Sequence, residues 1–303
     1  MNEEDTYLET GLIKISKSVY KSVYDSQGQY FHRLSKVDPD IITEDVLNPE
    51  KSVHQGLLLQ NFSPLKNKRL LEIGSGFAVN HIVWTKKFGI DGYGIEPGDE
   101  GFNSSLKISR QLVRDNGLSP ERLINAVGEN IPFEDGCFDL VYSTNVLEHT
   151  QDPGKVLQEA IRVLKPGGFA QIVFPNYRSF YDGHYNIFHP PIFSNRFFQW
   201  LVANIYGRDP YFASTIRTEL NPSWCKVQLK PFIESGQVEV LGMGQAVFTE
   251  RLTHIDFSHW QALSNLEPLF RFGNKIGINW LAAKIVNQLS AWTPVILTLK
   301  KTA

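Results

Sequence analysis

Apolar and polar positions change rhythm several times along this chain of 303 residues. Up to about residue 65, one helical stripe at Leu8, Leu12, Ile15 and Val19 and a second at Val53, Leu57 and Leu58 are broken by Pro39, Pro49 and Pro64, which predicts a helical N-terminal cap over 1–65. From residue 69 short β-rich runs at 69–73, 92–96, 123–127, 138–143 and 169–174 alternate with helical patterns near 79–88, 103–116 and 153–164. The last of these ends in Lys165-Pro166-Gly167-Gly168, a sequence that closes a helix and turns the chain. Strands alternating with helices imply right-handed crossovers and a mostly parallel, doubly wound α/β sheet covered on both faces. After the fifth strand the pattern becomes aromatic and turn-rich over 176–221, with one helix around 194–206; a helix near 222–235 leads into a strand at 237–241. A second interval, 243–293, carries a helical pattern from about 258 and ends in a strand at 295–300. The expected architecture is seven strands in a domain over 66–303, with insertions at about 176–221 and 243–293 and no internal repeat.

Composition narrows the class. Hydrophobic residues make up 42% of the chain, and 30 Lys and Arg stand against 32 Asp and Glu for a net charge of −2. That balance lacks the cationic excess a phosphate backbone requires, so no nucleic-acid partner is expected. Cys137 and Cys225 are too few for a disulfide framework or a thiolate zinc site, and no metal site is expected. The acidic start, Met1-Asn2-Glu3-Glu4-Asp5, lacks the basic and apolar regions of a signal peptide, and no segment reaches ~18 consecutive apolar residues. A cytoplasmic location is the expectation.

The chemistry concentrates in Leu70-Leu71-Glu72-Ile73-Gly74-Ser75-Gly76-Phe77-Ala78, a buried strand entering a glycine-rich turn and then a helix. Without Cβ atoms, Gly74 and Gly76 let the backbone turn sharply and a ligand approach closely. Such a loop alone also fits a plain tight turn. Glu96, however, ends the next strand 20 residues after Gly76, the separation at which a carboxylate accepts both ribose hydroxyls. Val79 stands where a dinucleotide fingerprint has its last glycine, and Glu72 precedes the first glycine by two. A negative charge there opposes a pyrophosphate and attracts the cationic amino group of a methionine moiety. The residues therefore favour S-adenosylmethionine over a nicotinamide dinucleotide, and no Tyr-x-x-x-Lys pair supports an oxidoreductase or epimerase.

At this point the sequence resembles the class I S-adenosylmethionine-dependent methyltransferases, in their small-molecule branch, over roughly residues 50 to 175. Besides the loop and Glu96, the matching segments are Gly128-Glu129-Asn130-Ile131-Pro132-Phe133 followed by Phe138-Asp139, then Asn145-Val146-Leu147-Glu148-His149, and Arg162-Val163-Leu164-Lys165-Pro166-Gly167-Gly168. Ala78 replaces the third glycine of the family loop, and Glu129 the commoner aspartate. The resemblance implies that Glu72, Gly74, Ser75 and Gly76 hold the methionine end and Glu96 the ribose. It places Glu129, Asn130 and Ile131 at the adenine and Asn145 on the methyl side. The expected acceptor is a small molecule (a glycan, lipid-linked sugar or secondary metabolite) methylated at a hydroxyl oxygen, with carbon or nitrogen as the alternative acceptor atom and an inactive cofactor-binding module as a further reading.

A hydroxyl acceptor loses a proton, and histidine suits that task near neutral pH. His184, with Asp182 beside it, and His149, at the carboxyl end of the fourth strand, are the catalytic candidates; His189 before two prolines suits a turn, and His259 falls in a segment without a clear pattern. The aromatic run from Tyr177 to Trp200 fits either a lid over the acceptor or a satellite core under a long loop. The stripe over 258–291 fits core, a dimer contact or a peripheral lipid contact, leaving monomer and homodimer open.

Overall fold

The alternating runs become a seven-stranded sheet in the computed structural model, which describes residues 5–98, 105–255 and 266–302. Along the chain the strands are β1 (Thr6–Glu9), β2 (Lys14–Ser16), β3 (Arg69–Ile73), β4 (Asp91–Ile95), β5 (Leu123–Ile124), β6 (Phe138–Thr144), β7 (Leu164–Phe174), β8 (Tyr181–Asp182), β9 (Ile187–Phe188), β10 (Val238–Gly242) and β11 (Val295–Lys301). The central sheet has the order β10-β11-β7-β6-β3-β4-β5. Strands β3 to β7 pair in parallel, whereas β11 runs antiparallel to both of its neighbours. The strand order reverses between β3 and β6, so a crevice opens at their carboxyl ends, where open α/β sheets bind ligands.

Adjacent side chains on a strand point to opposite faces, and each face has its own core. Leu71 and Ile73 of β3 pack with Val141, Ile172 and Phe174 beneath the helix Pro153–Val163. Leu70 of β3 packs with Leu140 and Tyr142 beneath the helix Val79–Phe88 and the N-terminal residues Ile13, Ile15, Val19 and Val23. Burial on both faces is why these parallel strands read as continuous apolar runs.

Several elements differ from the sequence expectation. Residues 6–16 form an antiparallel hairpin of β1 and β2, not a helix, and the first helix begins at Lys17. The Thr10 hydroxyl oxygen accepts from the N–H groups of Leu12 and Ile13, which tightens the turn, and Ile13 and Ile15 are buried with the period of two that a strand demands. The segment Lys165-Pro166-Gly167-Gly168 bulges out within β7, between the pairs Phe138–Leu164 and Leu140–Phe169, with Gly167 at φ +80°. The late helical stretch divides at Gly277 (φ +77°) into the helices Glu267–Lys275 and Ile278–Gln288. Its stripe is mostly not core, since Leu269, Phe272, Trp280 and Leu289 are exposed, while Phe270 packs against the main core. His259, Trp260 and Leu263 lie outside the described residues.

The insertion after β7 builds a satellite core. Tyr177, Tyr185, Phe198 and Phe212 are buried there together with Leu34, which reaches across from the helix Gln29–Ser35. Part of the aromatic run is thus packing, whereas Phe188, Phe193, Phe197 and Trp200 remain exposed. Among the described residues no helix is long and apolar enough to cross a membrane.

Candidate functional site

The loop from β3 into the helix Val79–Phe88 has left-handed backbone at Gly74 (φ +70°), Gly76 (φ +50°) and Ala78 (φ +61°). The N–H groups of Gly74 and Ser75 both donate to the Ile95 carbonyl, at 2.9 and 3.1 Å, which fastens the loop to the end of β4. The two glycines serve different ends. A Cβ on Gly74 would lie 2.2 Å from Val146 Cγ2, whereas one on Gly76 would meet nothing within 4 Å. Gly74 is needed for close packing against the segment that follows β6; Gly76 faces open space above the crevice.

Two carboxylates face this loop. Glu72 is 3% exposed; its Oε1 accepts from Asn80 Nδ2 at 2.7 Å, while its Oε2 is buried with no hydrogen-bond partner. Burial pushes its pKa up to about 8, with the Asn80 bond opposing the rise and the charge of Glu96 adding to it. Glu96 accepts from the Gly76 N–H through Oε2 at 3.0 Å and from the Ser105 hydroxyl through Oε1 at 2.6 Å. Burial raises its pKa as well, against those two bonds. The Ser75 hydroxyl is a second buried group without a partner. An orphaned carboxylate oxygen beside the open space at Gly76 calls for a ligand with a cationic donor.

The other expected contacts are spread more widely. Glu129 Oε1 accepts from the backbone N–H groups of Gln151 and Asp152, at 2.8 and 3.2 Å, which ties it to the turn before the helix Pro153–Val163. Asn130 is exposed. Ile131 is buried in the core and its N–H donates to Glu159 Oε2 at 2.9 Å, so its side chain serves packing. Asn145 follows β6 in left-handed backbone (φ +53°), exposed at the crevice, with its N–H on the Val173 carbonyl.

Beyond Asn145 and Val146, a 3-10 turn (Leu147–His149) presents a second group of polar side chains. Glu148 is completely buried, and neither of its carboxylate oxygens has a hydrogen-bond partner. Its Oε1 lies 3.9 Å from His149 Nε2 and 3.8 Å from His184 Nε2. The short hairpin of β8 and β9 delivers His184, whose Nδ1 lies 3.2 Å from Asp182 Oδ2; Asp182 Oδ1 accepts the Tyr185 N–H at 2.7 Å. Phe212 and Phe31 flank the His184 ring at 5.0 and 6.3 Å.

The environment separates these groups electrostatically. Burial, joined by the His184 charge, pushes His149 down to about 3. Burial also pushes Glu148 up to about 7. For His184, burial favours the neutral ring, but the Asp182 hydrogen bond and the charges of Asp182 and Glu148 outweigh it and raise the pKa. Burial likewise works against ionised Asp182, and His184 outweighs it.

The fold thus gathers Glu72, Gly74, Ser75, Gly76 and Glu96 around one loop, and His149, His184 and Asp182 around Glu148. Glu148 escaped selection in the sequence, where its signal is its place beside His149 just past the fourth strand. His189 is buried with Nδ1 on the Pro190 carbonyl at 2.8 Å, as suits a turn.

Residues 71–172 match the family model described as a methyltransferase domain. Norajmaline N-methyltransferase of Rauvolfia serpentina is 36% identical over 114 residues, covering 37% of each chain. The ubiquinone/menaquinone biosynthesis C-methyltransferase UbiE of Vibrio vulnificus is 29% identical over 157 residues, which is 50% of this chain and 57% of that one. These matches therefore span well under two thirds of the relatives' own lengths. Among solved structures, a Haemonchus contortus N-methyltransferase, determined with phosphomonomethylethanolamine and S-adenosylhomocysteine, superposes with a TM-score of 0.44 at 20% identity, over 82% of this chain and 51% of that one.

Proposed function

Starting from a chain that carries a class I S-adenosylmethionine-dependent methyltransferase domain, we propose that it methylates a small-molecule acceptor, at a hydroxyl oxygen. Glu72 Oε2, the orphaned buried atom, is the acceptor for the cofactor's cationic amino group, and the backbone of Gly74, Ser75 and Gly76 lines the same end. Glu96, already fastened to the loop, retains lone pairs for the ribose hydroxyls. Glu129, Asn130 and Ile131 are assigned to the adenine side, with Asn145 nearest the methyl. Bound there, the cofactor supplies a methyl group activated by its positively charged sulfur.

The protein's remaining tasks are to orient the acceptor, to exclude water and to remove a proton. The observation that carries the hydroxyl reading is the Asp182–His184 pair beside the turn that follows Asn145. Asp182 fixes the ring so that Nδ1 holds a proton and Nε2 faces the cluster; Nε2 receives the hydroxyl proton as the oxygen gains its methyl, and solvent then takes it. His149, held neutral by burial, lines the same spot. The wall of Phe31 and Phe212 supports an acceptor with an apolar face.

A screen of metabolite extracts with a tritium-labelled methyl donor identifies the acceptor. On that acceptor His184→Ala is expected to lower kcat at least a hundredfold, within the usual range for losing a general base, and to leave the affinity for S-adenosylhomocysteine unchanged. Unaltered turnover removes His184 from the reaction. Labelling of amines alone replaces the hydroxyl with nitrogen, the acceptor atom named for the Rauvolfia relative.

A further inference from the structure

We propose that Glu148, His149 and His184 together bind one divalent transition-metal ion, with Asp182 as the positioning residue behind His184. One ligand atom from each of the three lies within 4.8 Å of the others. From Glu148 Oε1 the two imidazole Nε2 atoms are 3.9 and 3.8 Å away. Ligands bound at 2.0–2.2 Å around a tetrahedral ion are ~3.4 Å apart, so closing the triad on an ion moves each of these atoms by only about half an ångström.

Two independent features point to a cation. The first is Glu148 itself. A fully buried carboxylate with neither oxygen hydrogen-bonded is among the costliest groups a fold can hold, and direct coordination removes that cost. The second is the partner behind His184. A metal-bound imidazole donates its other ring N–H to a carboxylate or carbonyl, which selects the tautomer and aims the free lone pair at the metal. Asp182 Oδ2, 3.2 Å from Nδ1 and itself fixed by the Tyr185 N–H, has that place.

The donor set also selects the ion. Two imidazoles and one carboxylate suit Zn2+, Fe2+, Co2+ or Ni2+, whereas Mg2+ and Ca2+ prefer oxygen donors throughout. Three protein ligands leave a coordination position open, as in catalytic zinc sites. The site stands on its own geometry and does not depend on which acceptor is methylated. It does change the chemistry open to an ion-loaded molecule: His184 Nε2 is then a ligand, and a coordinated hydroxyl is acidified by the ion and releases its proton to water. An imidazolium at His184 is the rival way to balance Glu148, and it predicts no metal uptake.

Protein stripped with a chelator and titrated with Zn2+ against a chromophoric chelator is expected to take up one ion per chain. His184→Ala and His149→Gln are each expected to weaken that uptake a hundredfold or more. Asp182→Asn, which leaves all three ligands in place, is expected to weaken it ten- to a hundredfold. Affinity for S-adenosylhomocysteine, measured on the same samples, reports whether each variant is folded. No uptake by the native protein, or full uptake by the partly exposed His149→Gln variant, overturns the site. S-adenosylhomocysteine binding without zinc uptake removes this site alone, and zinc uptake without S-adenosylhomocysteine binding removes the methyl-transfer reading alone.

Discussion

Replacing Glu72 by glutamine should make the ligand-free protein more stable at neutral pH while weakening its grip on the cofactor. The carboxyl is buried, Oε2 has no donor, and the pKa is driven from an ordinary 4.5 to about 8. A folded-state pKa above the unfolded one means that the folded chain holds a proton the unfolded chain has released. The stabilisation is therefore complete below pH 4.5 and is lost progressively as the pH rises towards 8. At 1.36 kcal/mol per pH unit, the native protein loses roughly 3 kcal/mol relative to Glu72→Gln between pH 5 and pH 8. The amide keeps the Asn80 bond through its carbonyl oxygen, so little else changes locally. Urea unfolding of both proteins across that range measures the difference directly. Calorimetry with S-adenosylhomocysteine at pH 7.5 should show the opposite preference, a loss of about tenfold to a hundredfold for a missing charged hydrogen bond. Parallel stability curves for the two proteins would refute the burial argument, and undiminished affinity would refute the assignment of Oε2 to the amino group.

Two further outcomes test the loop. Glu96→Ala should weaken S-adenosylhomocysteine at least tenfold, about 1.4 kcal/mol, because it removes the proposed ribose acceptor and releases the Gly76 N–H; equal affinity by calorimetry, or tighter binding of NAD, contradicts it. The two glycines should separate cleanly: Gly74→Ala, with its Cβ driven against Val146, costs roughly 2–5 kcal/mol in urea unfolding, while Gly76→Ala costs about 1–2 kcal/mol but obstructs the ligand. Equal destabilisation by the two would mean that Val146 yields.

The sheet was legible because fully buried parallel strands leave unbroken apolar runs, as at Leu70 to Ile73, and because the crossover helices keep their own period. The hairpin of β1 and β2 was hidden by coincidence: Leu8, Leu12, Ile15 and Val19 fall at helical spacing, while the positions that count, Ile13 and Ile15, alternate. In the site, Gly74, Gly76 and Glu96 announce themselves by spacing along the chain. Glu148 does not, since a glutamate beside a histidine looks like surface until β6, the hairpin of β8 and β9 and the satellite core close over it. Asp182 and His184 were visible as neighbours, but their approach to Glu148 is a fact of tertiary packing, 36 residues away along the chain. The aromatic run was ambiguous for the same reason, because a lid and a core have the same composition.

Leu34 and Phe31 stand some 150 residues before the insertion they help to wall, with Leu34 inside its core and the Phe31 ring against His184. For protein engineering this makes the proposed acceptor side a two-part cassette. Transplanting 176–221 into another methyltransferase scaffold would carry His184 and Phe212 but not Phe31, leaving an apolar surface where Leu34 used to fit. A working graft has to move the helix Gln29–Ser35 with it, whereas the cofactor loop can stay behind unchanged.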